Sequence, residues 1–390
     1  MPFRLSSFLN TPSPSGDARS PGNATHRPAN ATPGGSAGAG TAQARQASGA
    51  LAGLSQRAPQ PRRPKGEPNG MVGRMMAGQL FGSESERRTL EPHDETRLRV
   101  GEATGSIQPV SVQGEAGELA GHLYKAHDGG STGKVALVLS GSGAPAEALT
   151  PDIAAAYQRA GVDVLSMNYR GFGASAGTPS EQGLYHDAEA MLDHVTNTMH
   201  VPAENVVVHG YSMGGPVAAH LTAKAQSEGK QLGGLVLDRP MPSTTKGVRA
   251  HHPHAGALPG QIAKRTVGTL SVEKNLRGQA ADTKVVMLTD NEGLGREGEQ
   301  LRQRLAAQGF AVSGGSTGAE HEDSFSAMHQ QFPAIEQALL RPGQAASGQT
   351  SGQTSGQAST APAPSAPATA RTEEEQFQHD FGYLSGMIRA

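Results

Sequence analysis

Apolar residues along the chain arrive in short uninterrupted runs, separated by longer stretches where they recur at helical spacing. The runs are 134–140 (KVALVLS), 162–168 (VDVLSMN), 206–209 (VVVH), 232–237 (LGGLVL) and 284–288 (KVVML), and Val312 opens a weaker one. Helical spacing occupies 154–160, 181–199, 216–227, 297–308 and 324–340. A strand with one wet face alternates apolar and polar positions, whereas an unbroken run needs apolar cover on both faces. Strands and helices in this alternation predict an α/β fold, a mostly parallel sheet with helices on both faces, over residues 106–341.

The rest of the chain lacks that pattern. Residues 1–66 mix Ser, Pro, Gly, Ala, Thr and Asn, with eight basic residues against the single acid Asp17. Such a segment buries too little apolar area to offset its conformational entropy and is expected to be disordered. Residues 67–105 form a charged transition segment with room for a short helix. From 342 to 390 the chain is low in complexity, opening on repeated Ser-Gly-Gln-Thr units and ending in TEEEQFQHDFGYLSGMIRA, a short helix or a solvated tail.

Composition narrows the chemistry. The 390 residues include 52 Gly and 26 Pro, with 35% hydrophobic and 4% aromatic residues, so a packed core is confined to part of the chain. Cysteine is absent, which excludes disulfides and cysteine-based nucleophiles or metal sites. No apolar run reaches the roughly 18 residues of a transmembrane helix, and no apolar stretch near Met1 reads as a secretory signal. The formal charge of −2 gives no electrostatic footprint for nucleic acid.

The pattern Gly-x-Ser-x-Gly occurs five times, at 34–38, 129–133, 173–177, 210–214 and 314–318. A nucleophile elbow needs a strand, a sharp turn carrying the serine, and a helix starting at once. Only Ser212 stands between an apolar strand and a helical run. Ser36 lies in the N-terminal arm, Ser131 precedes its strand, Ser175 sits in a loop, and no helix opens immediately after Ser316.

A serine hydroxyl needs a base, and the base needs an acid to orient it. In this topology the order is Ser, acid, His. His321, in the loop GGSTGAEHEDSF before the last helix, is the candidate base. The HHPH stretch at 251–254, His209, His220 and His329 compete less well. The acid is expected after the strand at 284–288, where Asp290 and Glu292 both qualify; Asp238 is less well placed. The oxyanion needs two backbone N–H groups. One is expected from Met213, the other from Ser142 or Gly143 in the loop SGSGAP.

These residues carry a resemblance. NYRGFGASAGTPSEQGLYHDAEAMLDHV at 168–195, VVVHGYSMGGPVAAHL at 206–221 and GAEHEDSF at 318–325 together resemble the Bem46-like, serine-aminopeptidase-like branch of the α/β-hydrolase fold. The likeness covers about 106–340. It implies Ser212 as nucleophile and His321 as base, with no metal or organic cofactor. The chain departs from the family where Ser140-Gly141 replaces His-Gly before the oxyanion loop, and where Thr289-Asp290 replaces the same pair before the acid. Asp290 and Glu292 therefore both stay open.

The arm at 1–66 resembles the secretion signal of bacterial type III effectors, a composition that organelle transit peptides share. A flexible tail without export meaning is the plainer alternative. The expectation that results is a serine hydrolase of esterase or thioesterase type, with peptidase activity less favoured, exported by a type III system into a host cell. Its substrate would be an acyl ester or thioester, including a lipidated host protein, and a secretion chaperone would bind the arm. Two other expectations stand beside it. One is a non-catalytic hydrolase scaffold that binds a host protein; the other is an ordinary bacterial cytoplasmic hydrolase with disordered tails.

Overall fold

The apolar runs lie side by side because neither of their faces can meet water. In a computed structural model of the chain, the described residues are 68, 70–127, 130–251, 257–279, 283–291 and 293–341. Three helices come first: α1 (Gly70–Phe81), α2 (Glu84–Arg88) and α3 (Pro92–Thr104). A hairpin follows, β1 (Ile107–Gly114) and β2 (Gly117–Tyr124), then β3 (Val135–Leu139), α4 (Ala146–Leu149), α5 (Pro151–Arg159) and β4 (Asp163–Met167). Next come α6 (Glu181–Asp193), β5 (Val206–Tyr211), α7 (Gly214–Ser227) and β6 (Gly234–Asp238). After these come α8 (Thr244–His251), α9 (Leu258–Thr266), α10 (Val272–Asn275), β7 (Val285–Leu288), α11 (Gly293–Ala307), β8 (Val312–Ser313) and α12 (Ser324–Ile335).

The eight strands form one sheet in the order β1-β2-β4-β3-β5-β6-β7-β8. From β4 to β8 every pairing is parallel; β1 with β2 and β2 with β4 are antiparallel. This is the mostly parallel, helix-covered sheet that the apolar runs predict. Alternate residues of each strand feed two cores. Leu137, Val208, Leu235 and Met287 pack on one face, and Val138, Val207, Val236 and Val286 on the other. Each such side chain contributes about 1.5–3 kcal/mol by leaving water.

The hairpin was not legible as strands because β1 buries only Ile107, Val112 and Gly114, leaving no apolar run. The segment at 67–105 holds three helices where one short helix was expected. α1 sends Met76, Leu80 and Phe81 into the same core as Leu137 and Val217. A capping box between Ser83 and Glu86 starts α2, whose Arg87 Nη1 donates to the Gly171 carbonyl at 2.6 Å.

Between β6 and β7, where the sequence shows little apolar pattern, three short helices pack through Val248, Ala263, Val267 and Val272. The Glu181 carboxylate at the start of α6 holds this region, accepting the Thr269 and Leu270 amides at 2.9 Å each. The arm at 1–66 and the tail at 342–390 lie outside the described residues.

Candidate active site

The turn at Ser212 is tight for a reason visible in its two glycines. A Cβ on Gly210 would overlap the Gly214 carbonyl oxygen, and one on Gly214 would overlap the Leu139 carbonyl. The turn leaves Ser212 with a φ of 51°, the left-handed region that residues with a Cβ avoid. Strain of this kind persists only where the surroundings hold it. Here the Ser212 N–H donates to the Asp238 carbonyl at 3.0 Å, and the Ser212 carbonyl accepts from Met241 N–H at 2.9 Å. β5 thus delivers the hydroxyl to the C-terminal edge of the sheet, and α7 leaves from it.

His321 arrives from the loop between β8 and α12. Its Nε2 lies 2.9 Å from Ser212 Oγ, and its Nδ1 lies 2.6 Å from Asp290 Oδ2. With Nδ1 protonated, the imidazole donates to the carboxylate and accepts from the serine hydroxyl. The Asp290 side chain is 1% exposed and that of His321 17%, so the imidazole keeps an opening to solvent while the carboxylate has almost none. Backbone bonds tie the two loops together: Thr289 N–H to Gly315 O at 3.0 Å, Thr317 N–H to Thr289 O at 2.8 Å, and Asn291 N–H to Ala319 O at 3.3 Å. Of the two carboxylates the sequence left open, Asp290 lies beside His321, and Glu292 lies outside the described residues.

The loop after β3 runs beside the elbow, since Gly214 abuts Leu139 and Ser140. Its two candidate amides differ. Gly143 N–H donates to the Phe81 carbonyl at 3.1 Å, so it already has a partner. Among the described residues the amides of Ser142 and Met213 appear in no such backbone hydrogen bond.

Asp238, the acid judged less well placed, is turned away from His321. Its carboxylate accepts from His209 Nε2 at 3.2 Å, and His209 Nδ1 accepts from Tyr157 OH at 3.0 Å. Burial alone would push the Asp238 carboxyl up. The adjacent Arg239 charge and the hydrogen bonds from His209 and Arg239 outweigh it and hold the group well below the usual carboxylate range. His220 pairs with Glu189, and His329 stacks on Phe325. The side chains of the HHPH stretch lie outside the described residues. Among the described residues, no group of three His, Asp or Glu side chains is placed to hold a metal ion. No helix there is long and apolar enough to cross a membrane.

Neither Tyr211 nor Arg239 stood out in the sequence, yet both reach the base loop. Tyr211 OH donates to the His321 carbonyl at 2.9 Å, and Arg239 Nη1 to the same oxygen at 2.8 Å. The only sequence signal was adjacency, Tyr211 to Ser212 and Arg239 to the end of β6.

A sheet of this order, with a strained serine after its fifth strand and a histidine late in the chain, defines an α/β hydrolase. The family profile described as "Serine aminopeptidase, S33" matches residues 131–313. A crystal structure of an alpha-beta hydrolase from Vibrio vulnificus is 42% identical, with a TM-score of 0.65, and the alignment covers 70% of this chain and 95% of that one. The chain belongs to the α/β-hydrolase family. It is also 43% identical over 280 residues to a "Multifunctional-autoprocessing repeats-in-toxin" of Vibrio vulnificus, covering 70% of this chain and 5% of the relative. A like-named protein of Vibrio cholerae is matched over 6% of its length, so the chain spans about a twentieth of these relatives. Protein bem46 of Schizosaccharomyces pombe is 32% identical over 102 residues, 26% of this chain and 33% of that protein.

Proposed function

We propose that the chain hydrolyses carboxylic esters or thioesters through Ser212, His321 and Asp290. The observation that carries this reading is the continuous path Ser212 Oγ to His321 Nε2 at 2.9 Å and His321 Nδ1 to Asp290 Oδ2 at 2.6 Å. Ser212 Oγ attacks the acyl carbon while its proton passes to His321 Nε2. Asp290 accepts from Nδ1–H and so stabilises the imidazolium that forms. The amides of Met213 and Ser142 take the oxyanion. The bond to the leaving group breaks as His321 returns the proton to the departing alkoxide or thiolate. Water then repeats the sequence, releasing the carboxylic acid and free Ser212. Every proton moves between these side chains, substrate and water, and no step calls for a metal or organic cofactor.

The test is hydrolysis of a p-nitrophenyl ester, an acyl thioester and an aminoacyl arylamide by wild type and Ser212→Ala. Loss of ester and thioester turnover in the variant supports the reading. Equal turnover in both proteins, or activity on the arylamide alone, rejects it.

The site of action is part of the same proposal. The acid-poor composition of 1–66 and the word "toxin" in the names of two relatives support action inside another cell, with type III export as the route. A reporter fused to residues 1–66 that fails to leave a bacterium with a working type III apparatus would count against that route.

A further inference from the structure

We infer that Arg239 is a positioning residue for the base, its guanidinium seated on Asp238 and fixing the backbone carbonyl of His321. The inference rests on the proposed hydrolase reading of Ser212 and His321.

Arg239 is the largest fully buried side chain among the described residues, 1% exposed. A guanidinium is always charged and carries five N–H groups, so burying it demands partners for all five. They are all present. Nε donates to Asp238 Oδ1 at 2.8 Å. Nη2 donates to Asp238 Oδ2 at 3.1 Å and to Ser324 Oγ at 2.9 Å. Nη1 donates to the carbonyls of His321 at 2.8 Å and Glu320 at 3.3 Å. One end of the fork is therefore anchored on β6, and the other grips the base loop and the first residue of α12.

Two further features single out this residue. Its φ is 44°, left-handed for a residue with a Cβ, and its N–H donates to the Leu288 carbonyl at 2.9 Å. Arg239 thus holds an unfavourable backbone conformation at the point where β6 and β7 end. The same stretch, 238–241, also brackets the nucleophile through the Asp238 carbonyl and the Met241 amide. One short segment therefore sets both Ser212 and His321.

Tyr211 completes the clamp. Its hydroxyl is the second donor to the His321 carbonyl, and its ring touches both partners. Arg239 Cζ is 4.9 Å from the ring centroid, and the His321 ring is 5.6 Å away at 25°. Burial pushes the Tyr211 hydroxyl well above its ordinary value, so it stays a proton donor. Arg239 is too deeply buried to meet a substrate. Its effect on the reaction runs through where it holds His321, and a misplacement near 1 Å can cost about 100-fold in rate.

The experiment compares Arg239→Lys, Tyr211→Phe, Ser324→Ala and the double variant Arg239→Lys/Tyr211→Phe, with Ser212→Ala as the zero. Steady-state kcat and KM on a p-nitrophenyl ester and thermal melting are measured for each. Lysine keeps the charge but cannot reproduce the fork. Folded Arg239→Lys is expected to lose about 100-fold in kcat with KM nearly unchanged. Tyr211→Phe should lose less, and the double variant should fall short of the product of the two, because both donors serve one oxygen. A folded Arg239→Lys with wild-type kcat, or losses that simply multiply, would overturn the inference. Should Arg239→Lys fail to fold, Tyr211→Phe and Ser324→Ala decide: a drop in kcat at constant KM supports it, and wild-type kcat in both rejects it. Ester turnover that survives in Ser212→Ala would instead mark failure of the hydrolase reading itself.

Discussion

The carbonyl oxygen of Phe81, the last residue of α1, accepts a hydrogen bond from the backbone amide of Gly143 at 3.1 Å. The helical segment before the sheet is therefore bonded to the loop that lies beside Ser212. Phe81 is 1% exposed and belongs to the core that covers one face of the sheet. Its side chain anchors the carbonyl that holds Gly143.

Phe81→Ala should lower stability by about 3–5 kcal/mol, the usual cost of emptying a buried aromatic site. Urea unfolding measures it, and amide exchange at Gly143 should quicken more than exchange in β5. An unchanged unfolding midpoint would mean that α1 is an appendage and not part of the core.

The choice of acid is tested by comparing Asp290→Asn with Glu292→Gln. Asp290 holds His321 Nδ1 at 2.6 Å. An amide there offers the wrong partner to the imidazole, and losses of about 10⁴-fold in kcat follow such a change in a serine protease triad. We expect a fall of about 10³-fold or more for Asp290→Asn and less than about threefold for Glu292→Gln, read from ester turnover. The reverse ranking would reassign the acid.

Asp238 makes a pH prediction. Its folded value lies below its unfolded one, so the stability it contributes is complete above about pH 4 and is lost as the pH falls toward the folded value. Asp238→Asn leaves Arg239 buried without its counter-charge, at a cost of about 3–5 kcal/mol at neutral pH. The gap between wild type and variant, measured by urea unfolding across a pH series, should narrow only on the acid side of about pH 4. A gap independent of pH would show that the carboxylate charge plays no part.

The sheet was legible because β3 to β7 are buried on both faces and read as apolar runs. Ser212 was legible for the same reason, since only there does such a run pass through Gly-x-Ser-x-Gly into a helix. β1 escaped notice because most of its residues face solvent and leave no run to see. α1 is Gly- and Met-rich, and its apolar residues gain meaning only from the sheet they pack against. The difference between the Ser142 and Gly143 amides depends on the Phe81 carbonyl, about sixty residues earlier in the chain. Arg239 could not be singled out at all. Its partners at Glu320, His321 and Ser324 lie more than eighty residues away, and a lone arginine after a strand most often faces water.

The proposed hydrolysis stands or falls on Ser212 acting as a nucleophile activated by His321. Intact-protein and peptide mass spectrometry after treatment with a fluorophosphonate tests it most directly. One adduct is expected in wild type, carried by the peptide containing Ser212, with none in Ser212→Ala and labelling slowed by orders of magnitude in His321→Ala. An adduct on another residue, or Ser212 labelled as fast without His321 as with it, would rule out that role for the pair.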